Sequence, residues 1–406
     1  MPVLRNIGLL ATCRRAGGQA DIHPIPNAAL VWNGPIIQWV GPESQLPESF
    51  QNVTYLDARG RLVVPGLVDC HTHLGFGGWR SDEFEQRIQG KSYLEIAQAG
   101  GGIASTVART RQLSSEELKE RCQSFLDEIV QLGVTTVECK SGYGLDAEAE
   151  LKLLLVYREL QEDGKVDIVP TFLGAHVVPP EYRERRSEYV ALLTEILIPA
   201  IGRDGLADFC DAFVEQSAFT IEEARHILTA ARRAGLGLKL HADQLTSGGG
   251  AELAAELRAA SADHLECISE AGIAAMAKAG VVAVSLPLAT LYLGHNPMPA
   301  RALIQAGVAV AVATDFNPGS APSYHLPLAM TLACTLQKMT PAEALKGATL
   351  FAARATGREA VAGSIEVGKR ADFALIDAPD VTHWLYHFRP NACRMTVSRG
   401  IVRWSA

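Results

Sequence analysis

The sequence predicts an α/β fold: a (β/α)8 TIM barrel joined to a small composite β-sandwich domain built from both chain ends. Three observations carry this prediction. Eight short apolar segments have the character of buried strands, amphipathic helical segments lie between them, and strand-like segments with turns occupy both ends of the chain. Alternating strands and helices are typical of a parallel sheet covered by helices. A doubly wound open sheet is the alternative, and it is disfavoured because no Gly-rich dinucleotide-binding motif follows any strand.

The first 62 residues are predicted to form short strands with turns. The segment "ALVWNGPIIQWVGP" contains two apolar runs around an Asn-Gly pair, which is a strong hairpin signal. The C-terminal stretch, from "GSIEVGKRADFALIDAPD" to "RMTVSRGIVRW", is again short and strand-like. Because each end is too small to bury a core alone, we expect residues 1–62 and 362–406 to form one composite domain. Residues 63–361 would then form the barrel.

Each candidate barrel strand is an apolar segment of seven to nine residues. The eight segments are 61–69, 134–140, 166–174, 207–214, 236–242, 259–265, 281–287 and 308–315. The helical segments between them place apolar residues at i, i+3 and i+4 and end on glycine. The clearest three are 114–133, 220–235 and 268–280.

Composition narrows the class of protein. The chain has 406 residues, 48% of them hydrophobic and 20% charged, with a formal net charge of −8. No cluster of lysine and arginine suited to phosphate backbones occurs, so nucleic acid is not expected as a partner. There is no signal-peptide pattern and no apolar run of about eighteen residues, so we expect a cytoplasmic protein without a membrane segment. Eight scattered cysteines without a C-x-x-C pair predict reduced thiols.

Histidines and an aspartate stand at the ends of the predicted strands. His71 and His73 follow the first strand, His241 ends the fifth, and Asp315 ends the eighth. Functional residues of such barrels collect at these C-terminal strand ends, and residues two apart in extended chain face the same side. One histidine at a strand end is more often a simple hydrogen-bonding residue. The joint pattern of three imidazoles and one carboxylate predicts a site for zinc or iron.

A metal ion with an open coordination position lowers the pKa of a bound water, so the pattern predicts metal-assisted hydrolysis at a carbonyl or amidine carbon. Asp315 is placed to accept a proton and pass it to a leaving nitrogen. His264, at the end of the sixth strand, would orient the water or stabilise the developing oxyanion. Alternatively, His264 is a ligand in a two-metal site. That site would need a bridging carboxylate, for which Glu215 is the candidate after strand four, and one metal is favoured.

Three further residues lie near these strand ends. Glu138 and Lys140 end the second strand, and both a site-facing role and a salt-bridge role stay open. Cys70 precedes the two histidines, so strand alternation turns its side chain away from them. We interpret Cys70 as a core residue and not as a thiolate ligand.

The pattern of H-x-H, His, His and Asp on a barrel resembles the amidohydrolase superfamily. The segments "PGLVDCHTHL" and "GSIEVGKRADFALID" resemble sequences common near the two ends of its members. A more specific resemblance, to the imidazolonepropionase family, runs along nearly the whole chain. The segments that carry it are "HTHLGFGGWRSDEFEQRIQGKSYLEIAQAGGGIASTV", "TTVECKSGYGLD", "TFLGAHVVP", "KLHADQL", "SADHLE" and "ATDFNPGSAP".

This resemblance implies a substrate and a cofactor. The family hydrolyses 4-imidazolone-5-propanoate, a cyclic amide bearing a propionate, to N-formimidoyl-L-glutamate in the third step of histidine degradation. It uses one zinc ion or Fe³⁺ per subunit, acts in the cytoplasm and tends to form homodimers. Opening the ring at its carbonyl leaves a carboxylate, which agrees with the chemistry expected of the four metal ligands.

The resemblance also implies substrate contacts. Arg80 would hold the propionate, since its guanidinium suits bidentate binding of a carboxylate. Tyr143 matches a family substrate contact, and His176 would donate to the ring or its carbonyl. The alternatives are a solvated Arg80, a Tyr143 packed within its loop and a structural His176.

Four more positions follow from the same resemblance. Asn317, Gly319 and Ser320 would bind the propionate through side chain and backbone N–H groups. Gln244 stands where some members of the family have Glu. A glutamine can form hydrogen bonds but cannot act as a general base, so proton transfer would fall to Asp315 and His264.

Two other classes of function compete with this interpretation. A cytosine or guanine deaminase would recognise an exocyclic amine and would not need a carboxylate clamp, so Arg80 argues against it. A non-enzymatic relative would use the barrel as a scaffold and lose metal ligands, whereas all four are present here.

Overall fold

The structure is a computed structural model that describes residues 1–91, 95 and 100–406. Residues 92–94 and 96–99, which belong to the first of the family-like segments, lie outside the described residues. The described residues form sixteen strands in two sheets of eight.

One sheet draws its strands from both ends of the chain. Its strands are β1 (Val3–Ala11), β2 (Pro24–Asn33), β3 (Ile36–Pro42), β4 (Leu56–Asp57) and β5 (Leu62–Pro65), then, after the barrel, β14 (Phe373–Ile376), β15 (Cys393–Ser398) and β16 (Ile401–Ser405). Their order is β16-β15-β14-β5-β1-β2-β3, with β4 paired to β1. β2 and β3 form the antiparallel hairpin predicted from the Asn-Gly pair, with Asn33 opposite Ile36. The sheet buries an apolar cluster of its own, which includes Trp32 and Phe373.

The other sheet is an eight-stranded parallel barrel. Its strands are β6 (Leu67–Asp69), β7 (Val134–Lys140), β8 (Asp167–Ala175), β9 (Phe209–Val214), β10 (Gly237–Ala242), β11 (Ser261–His264), β12 (Val282–Ser285) and β13 (Val310–Val312). They follow one another in chain order around the barrel. Bridging between Thr72 and Phe316, just beyond β6 and β13, brings the first and last strands together. The barrel confirms the predicted fold class.

Helices cover the barrel. The α-helices are Glu48–Gln51, Ser81–Ile88, Ile103–Gln112, Ser115–Ile129, Ala147–Asp163, Arg186–Ala191, Ile198–Arg203, Ile221–Arg233, Gly250–Glu256, Glu270–Ala279, Pro287–Leu293, Ala300–Gln305, Leu326–Gln337, Pro341–Lys346, Ala352–Ala355 and Val381–Tyr386. Short 3₁₀ segments span Glu43–Gln45, Val130–Leu132 and Pro180–Arg185. Leu192–Leu197 and Gly347–Phe351 are π-helical turns between α-helical segments.

The three helices predicted most clearly are present, and their ends show why. Ser114 and Glu117 form a capping box at the start of Ser115–Ile129, and Thr220 and Glu223 form another before Ile221–Arg233. Such reciprocal bonds satisfy backbone N–H groups that the first turn would leave unpaired. The helix Glu270–Ala279 ends at Gly280, whose φ of 73° is the left-handed conformation that favours glycine.

The predicted first barrel strand, 61–69, is divided between the two sheets. β5 pairs with β1 and β14, whereas β6 pairs with β7 in the barrel. The change occurs at Gly66, whose N–H donates to the carbonyl of Asp372 while the next N–H, of Leu67, donates to Gly133. A Cβ at residue 66 would lie 2.2 Å from the Thr135 hydroxyl, so only glycine fits where the strand passes between the sheets.

Two further expectations concern helices and thiols. No helix in the described ranges is long and apolar enough to span a membrane. All eight cysteines are free thiols, as expected of scattered cysteines without pairs. Cys70 is fully buried and burial raises the pKa of its thiol well above the usual value, in keeping with a core residue.

Candidate metal centre and active site

Four buried side chains converge at the C-terminal mouth of the barrel. Nε2 of His71 and Nε2 of His73 lie 3.4 and 3.5 Å from Oδ1 of Asp315. Nε2 of His241 lies 3.4 Å from Nε2 of His73. All four residues are at most 3% exposed. The structure therefore brings together the four residues that the strand ends predicted.

These separations fit a metal ion. Donors about 2.0–2.1 Å from a tetrahedral zinc are about 3.3 Å from one another, close to the spacing observed here. Nε2 of His71 is buried and has no hydrogen-bond partner within the described part of the chain, as expected of a nitrogen whose lone pair serves a cation. His71, His73 and Asp315 satisfy the geometric requirement for a shared ion, as do His71, His241 and His264.

Barrel closure fixes this arrangement. The N–H of Asp315 donates to the carbonyl of His71, and the N–H of His73 donates to the carbonyl of Phe316. The first and eighth strands are therefore joined at the residues that supply three of the four donors. Asp315 and His264 have φ values of 57° and 79°, a strained conformation for residues other than glycine that is concentrated at functional sites.

The ring nitrogens that face away from the cluster meet carboxylates. Nδ1 of His71 hydrogen-bonds to Oδ2 of Asp263 at 2.6 Å, and Nδ1 of His241 lies 3.0 Å from Oδ2 of Asp211. A carboxylate on one nitrogen directs the lone pair of the other toward a metal. Neither aspartate was among the predicted site residues. A signal was available, since an aspartate within an apolar strand such as "ADFCDAFV" must find a buried partner.

The same carboxylates belong to a group of buried charges inside the barrel. Together with Asp315, four carboxylates accompany two ammonium groups, so the formal charge of the group is −2 in the ordinary charge states of its members. A divalent cation would neutralise this excess. The other members are Glu138, Lys140 and Lys239, which answers the question left open for Glu138 and Lys140: they form salt bridges below the site.

His264 stands beside the four donors. Its ring centroid is 5.4 Å from that of His241 and 5.8 Å from that of His71. Nδ1 of His264 faces Glu266, whose Oε1 is 3.6 Å away, and the Glu266 side chain is only 4% exposed. Oε2 of Glu266 has no hydrogen-bond partner among the described residues. Glu266, also absent from the predicted residues, therefore borders His264 on the side away from the cluster.

A cavity of about 1120 Å³ opens above the metal donors. Its lining includes every predicted site residue except His71, which lies behind His73 and His241. Those residues are His73, Arg80, Tyr143, His176, His241, Gln244, His264, Asp315, Asn317, Gly319 and Ser320. The barrel thus gathers into one space residues that are up to 247 positions apart in the sequence.

Arg80 is fixed within this cavity by a buried carboxylate. Its Nε and Nη2 donate to Oε2 of Glu83 at 2.9 and 2.7 Å, and the other Glu83 oxygen accepts the N–H of Gly102 at 2.8 Å. Nη1 of Arg80 lies against Gly319, where a Cβ would come within 2.2 Å of it. Glu83 thus holds the guanidinium in one orientation, and Gly319 leaves room for it.

Two aromatic rings form the cavity wall beside the donors. His176 stacks on His73 with centroids 5.2 Å apart, and its Nδ1 is 2.9 Å from the carbonyl oxygen of Gly142. Burial, assisted by the neighbouring His73, lowers the pKa of His176 to about 3, so this ring is neutral near pH 7. Tyr143 is 4% exposed and its ring centroid is 5.4 Å from that of His176. Gln244 is half-buried in the same wall.

The loop after Asp315 satisfies its own backbone groups. Oδ1 of Asn317 accepts the N–H groups of Gly319 and Ser320, both at 2.8 Å, and the Asn317 amide donates to the carbonyl of Asp315. The two N–H groups predicted to bind the propionate are therefore already bonded. A substrate carboxylate could use them only by sharing them with Asn317.

Comparisons with known proteins agree with this geometry. Residues 62–403 match the amidohydrolase family. An imidazolonepropionase from Geobacillus thermodenitrificans is 46% identical over 384 residues, which cover 94% of this chain and 91% of that protein. One from Shewanella frigidimarina is 47% identical and covers 93% of both chains. This chain belongs to the imidazolonepropionases of the amidohydrolase family.

Solved structures that resemble this amidohydrolase share its fold at low sequence identity. An atrazine chlorohydrolase from Arthrobacter aurescens TC1, complexed with zinc, superposes with a TM-score of 0.72 at 18% identity, covering 99% of this chain and 95% of its own. The guanine deaminase of E. coli gives a TM-score of 0.75 at 14% identity, covering 100% and 99%. Sequence identities this low support the barrel and its additional sheet, but they do not identify a substrate. The chain is an enzyme, a hydrolase of a metal-dependent family.

Proposed function

We propose that this amidohydrolase cleaves the ring amide C–N bond of 4-imidazolone-5-propanoate and releases N-formimidoyl-L-glutamate. The observation that carries the proposal is a single cavity with metal donors at its base and Arg80 in its wall. That pairing suits a substrate with a hydrolysable ring at one end and a carboxylate at the other. The 46% identity to an imidazolonepropionase over nearly the full length supports the same substrate.

We propose one zinc ion or Fe³⁺ per subunit, held by His71, His73, His241 and Asp315. When bound, the ion would act as a Lewis acid and lower the pKa of a water molecule. Imidazole and carboxylate donors suit both zinc and iron, so the residues alone do not select between them. Metal analysis of the purified protein distinguishes the two.

The substrate would be bound at both ends. Arg80, oriented by Glu83, would pair with the propionate, and Ser320 would add its hydroxyl together with the Asn317 loop. His176 and Tyr143 would border the ring. Because Nδ1 of a neutral His176 must carry the proton that meets the Gly142 carbonyl, its Nε2 would accept a hydrogen bond from a ring N–H rather than donate to a carbonyl.

Proton transfer would fall to Asp315 and His264. Burial alone would raise the pKa of Asp315, but His71 and His73 outweigh it and hold that pKa well below the usual value. Asp315 would accept a proton from the attacking water, and one proton must reach the leaving ring nitrogen. His264 would stabilise the charge developing on the carbonyl oxygen. Gln244 would contribute a hydrogen bond to the ring and no proton.

A turnover assay tests the proposal. Freshly generated imidazolonepropionate is added to metal-analysed protein, and formimidoylglutamate is measured by mass spectrometry. Chelated enzyme should be inactive, and Arg80→Ala should raise KM by roughly 100-fold because a charge-assisted bidentate contact is lost. The matched control is Arg185→Ala, since Arg185 pairs with Glu188 and does not line the cavity. Absence of product from fully metallated protein would reject the substrate.

Three further features stand as proposals. We propose a domain division into residues 1–62 with 362–406 and residues 63–361, except that residues 63–65 belong with the first unit because β5 pairs with β1 and β14; limited proteolysis tests it. We also propose a homodimer and a cytoplasmic location, both supported by the resemblance to the family. Sedimentation velocity and cell fractionation test these two.

A further inference from the structure

Two lysines and three carboxylates lie inside the barrel beneath the metal donors. We call them the inner cluster: Glu138, Lys140, Asp211, Lys239 and Asp263. All five side chains are fully buried. A buried charge is tolerated only when it is paired and hydrogen-bonded, so the pairing within this cluster is stringently determined.

Lys140 occupies the centre of the inner cluster. Its Nζ lies 3.0 Å from Oε1 of Glu138, 2.8 Å from Oδ2 of Asp211 and 3.5 Å from Oδ2 of Asp263. The three N–H bonds of an ammonium group therefore have three carboxylates to meet. Tyr157 donates to the backbone carbonyl of the same lysine, which fixes the residue at the end of β7.

The two Oδ2 atoms next to Lys140 are the atoms that meet the ligand histidines. Oδ2 of Asp263 bonds Nδ1 of His71 at 2.6 Å, and Oδ2 of Asp211 lies 3.0 Å from Nδ1 of His241. A single ammonium group thus lies behind two metal ligands that come from opposite parts of the sequence. Only one aspartate oxygen, Oδ2, lies between Nζ of Lys140 and each histidine ring.

The second oxygen of each aspartate is also engaged. Oδ1 of Asp211 accepts the backbone N–H of His241 at 3.1 Å, and Oδ1 of Asp263 accepts the Ser261 hydroxyl at 2.6 Å. Neither carboxylate can rotate without breaking bonds on both sides. The directions of the two imidazole rings are therefore set by carboxylates that are held on both sides.

We infer that Lys140 is a positioning residue of the metal centre, which holds His71 and His241 in register through Asp263 and Asp211 and thereby sets the affinity for the metal. The inference rests on the proposed metal site. Without the ammonium group, two buried carboxylates 3.5 Å or less from Nζ would repel each other and lose their common partner. Both rings would then lose their fixed orientation.

Lys239 provides a matched control. It is equally buried, in the same cluster, but its ion pair among the described residues is with Glu138, at 2.9 Å, and it also donates to the carbonyl of Cys70. Removing Lys239 therefore takes the same charge from the cluster, including its electrostatic influence on Asp263, but leaves in place the ammonium group that contacts the oxygens behind the ligand histidines.

The experiment measures zinc affinity of the full chain by competition with a chromophoric chelator, and the absorption spectrum of the cobalt-substituted protein. Lys140→Met is expected to raise the zinc Kd roughly 10- to 100-fold, the range found for residues that support metal ligands. It should also shift the cobalt bands. Lys239→Met should raise the Kd clearly less than Lys140→Met does, because Lys239 contacts neither Oδ2 atom. Melting curves of the metal-free proteins establish that both variants are folded.

The outcomes separate this inference from the proposed function. A wild-type protein that binds no metal overturns the metal site and the inference together. Wild-type binding with unchanged affinity in Lys140→Met, or equal losses in both lysine variants, overturns the inference alone. If Lys140→Met does not fold, Asp211→Asn and Asp263→Asn decide, with Glu138→Gln as their control. Each aspartate variant should weaken zinc binding roughly tenfold or more, and wild-type affinity in both would overturn the inference.

Discussion

Two clusters of charged side chains in this hydrolase differ in almost every respect. The inner cluster lies beneath the cavity and is fully buried. At the opposite end of the barrel, Asp167 begins β8 and meets three arginines: Arg358 and Arg370 at 3.2 and 2.6 Å, and Arg399 at 2.9 Å. We call these four residues the Asp167 cluster. Its aspartate is buried, but its arginines are 23–29% exposed.

The sign of the excess charge differs as well. The inner cluster has three carboxylates for two lysines. The Asp167 cluster has three arginines for one carboxylate, and one of them, Arg358, also pairs with Asp208 at 2.6 Å. Excess positive charge is tolerated where guanidinium groups reach water. Excess negative charge in a dry interior needs a cation from outside. The inner cluster therefore suits the proposed metal site above it, and the Asp167 cluster joins the C-terminal segment to the barrel.

The largest expected effect tests the functional side of this comparison. His241→Ala removes a proposed metal donor, and we expect kcat/KM to fall by at least ~10³-fold, as for residues that act as one catalytic unit. Bound metal per chain should fall in parallel. His226→Ala, an exposed helix histidine, is the control and should match the wild type. A metal-loaded His241→Ala enzyme within tenfold of wild-type activity would contradict the assignment.

For the Asp167 cluster, we expect substitution to lower stability without lowering catalytic activity. Asp167→Asn leaves three arginines facing a neutral amide, and we expect the free energy of unfolding to fall by about 2 kcal/mol. This is less than for a fully buried pair, because the arginines reach solvent. Urea denaturation measures it, and kcat at 25 °C should stay within twofold. Asp204→Asn, whose partner Arg203 is mostly exposed, should cost less than about 0.5 kcal/mol.

The same variant predicts a pH dependence. Burial would raise the pKa of Asp167, but Arg370 and its neighbours outweigh burial and lower that pKa below 3.8. A depressed native pKa gives stability that is present above the unfolded pKa and is lost as pH falls through the native value. The stability difference between wild type and Asp167→Asn should therefore be constant from pH 5 to 7, roughly, and shrink below about pH 4. A difference that grows in acid would refute the pairing.

A smaller effect sharpens the description of the cavity itself. Gly319→Ala would place a Cβ 2.2 Å from Nη1 of Arg80 and displace the guanidinium. We expect KM to rise about tenfold, or about 1.4 kcal/mol, with metal content unchanged. Gly18→Ala is the control, since nothing lies within 4 Å of a Cβ there. An unchanged KM would mean that Arg80 does not hold the substrate.

The smallest expected effect concerns a second aspartate near the Asp167 cluster. Burial raises the pKa of Asp372 to about 6, and its Oδ2 has no hydrogen-bond partner among the described residues. Because the native pKa is raised, ionisation of Asp372 lowers the free energy of unfolding above about pH 6 but not below about pH 4. Asp372→Asn should therefore be up to about 1 kcal/mol more stable than wild type at pH 8. The gain should vanish near pH 4, which thermal unfolding at both pH values checks.

The candidate site residues at the strand ends could be predicted from the sequence because the strands of such a barrel all end at the same face. His71, His73, His241 and Asp315 needed only their positions after apolar segments. The role of Lys140 was not predictable, since its partners Asp211 and Asp263 are 71 and 123 residues away and meet it only when the barrel closes. Local pattern does not specify such pairings.

Two other features were not predicted from the sequence because they depend on backbone hydrogen bonding. The segment 61–69 has one continuous apolar pattern, and apolar runs alone do not reveal that hydrogen bonding changes sheets at Gly66. The loop after Asp315 was expected to offer two N–H groups to a ligand, but Asn317 accepts both. An asparagine near a Pro-Gly turn often bonds its own backbone, and this signal was present in the sequence.

The divided strand at Gly66 has a consequence for the order of events during protein synthesis. β5, which leads directly into the strand that carries His71 and His73, hydrogen-bonds to β1 on one side and to β14 on the other. β14 begins at Phe373, so a nascent chain that has reached the end of the barrel still lacks one neighbour of this strand. Full pairing of β5 therefore waits until residues 373–376 have left the ribosome. A message truncated before codon 373 would yield a chain that contains His71, His73, His241 and Asp315 but whose strand β5 lacks its partner β14.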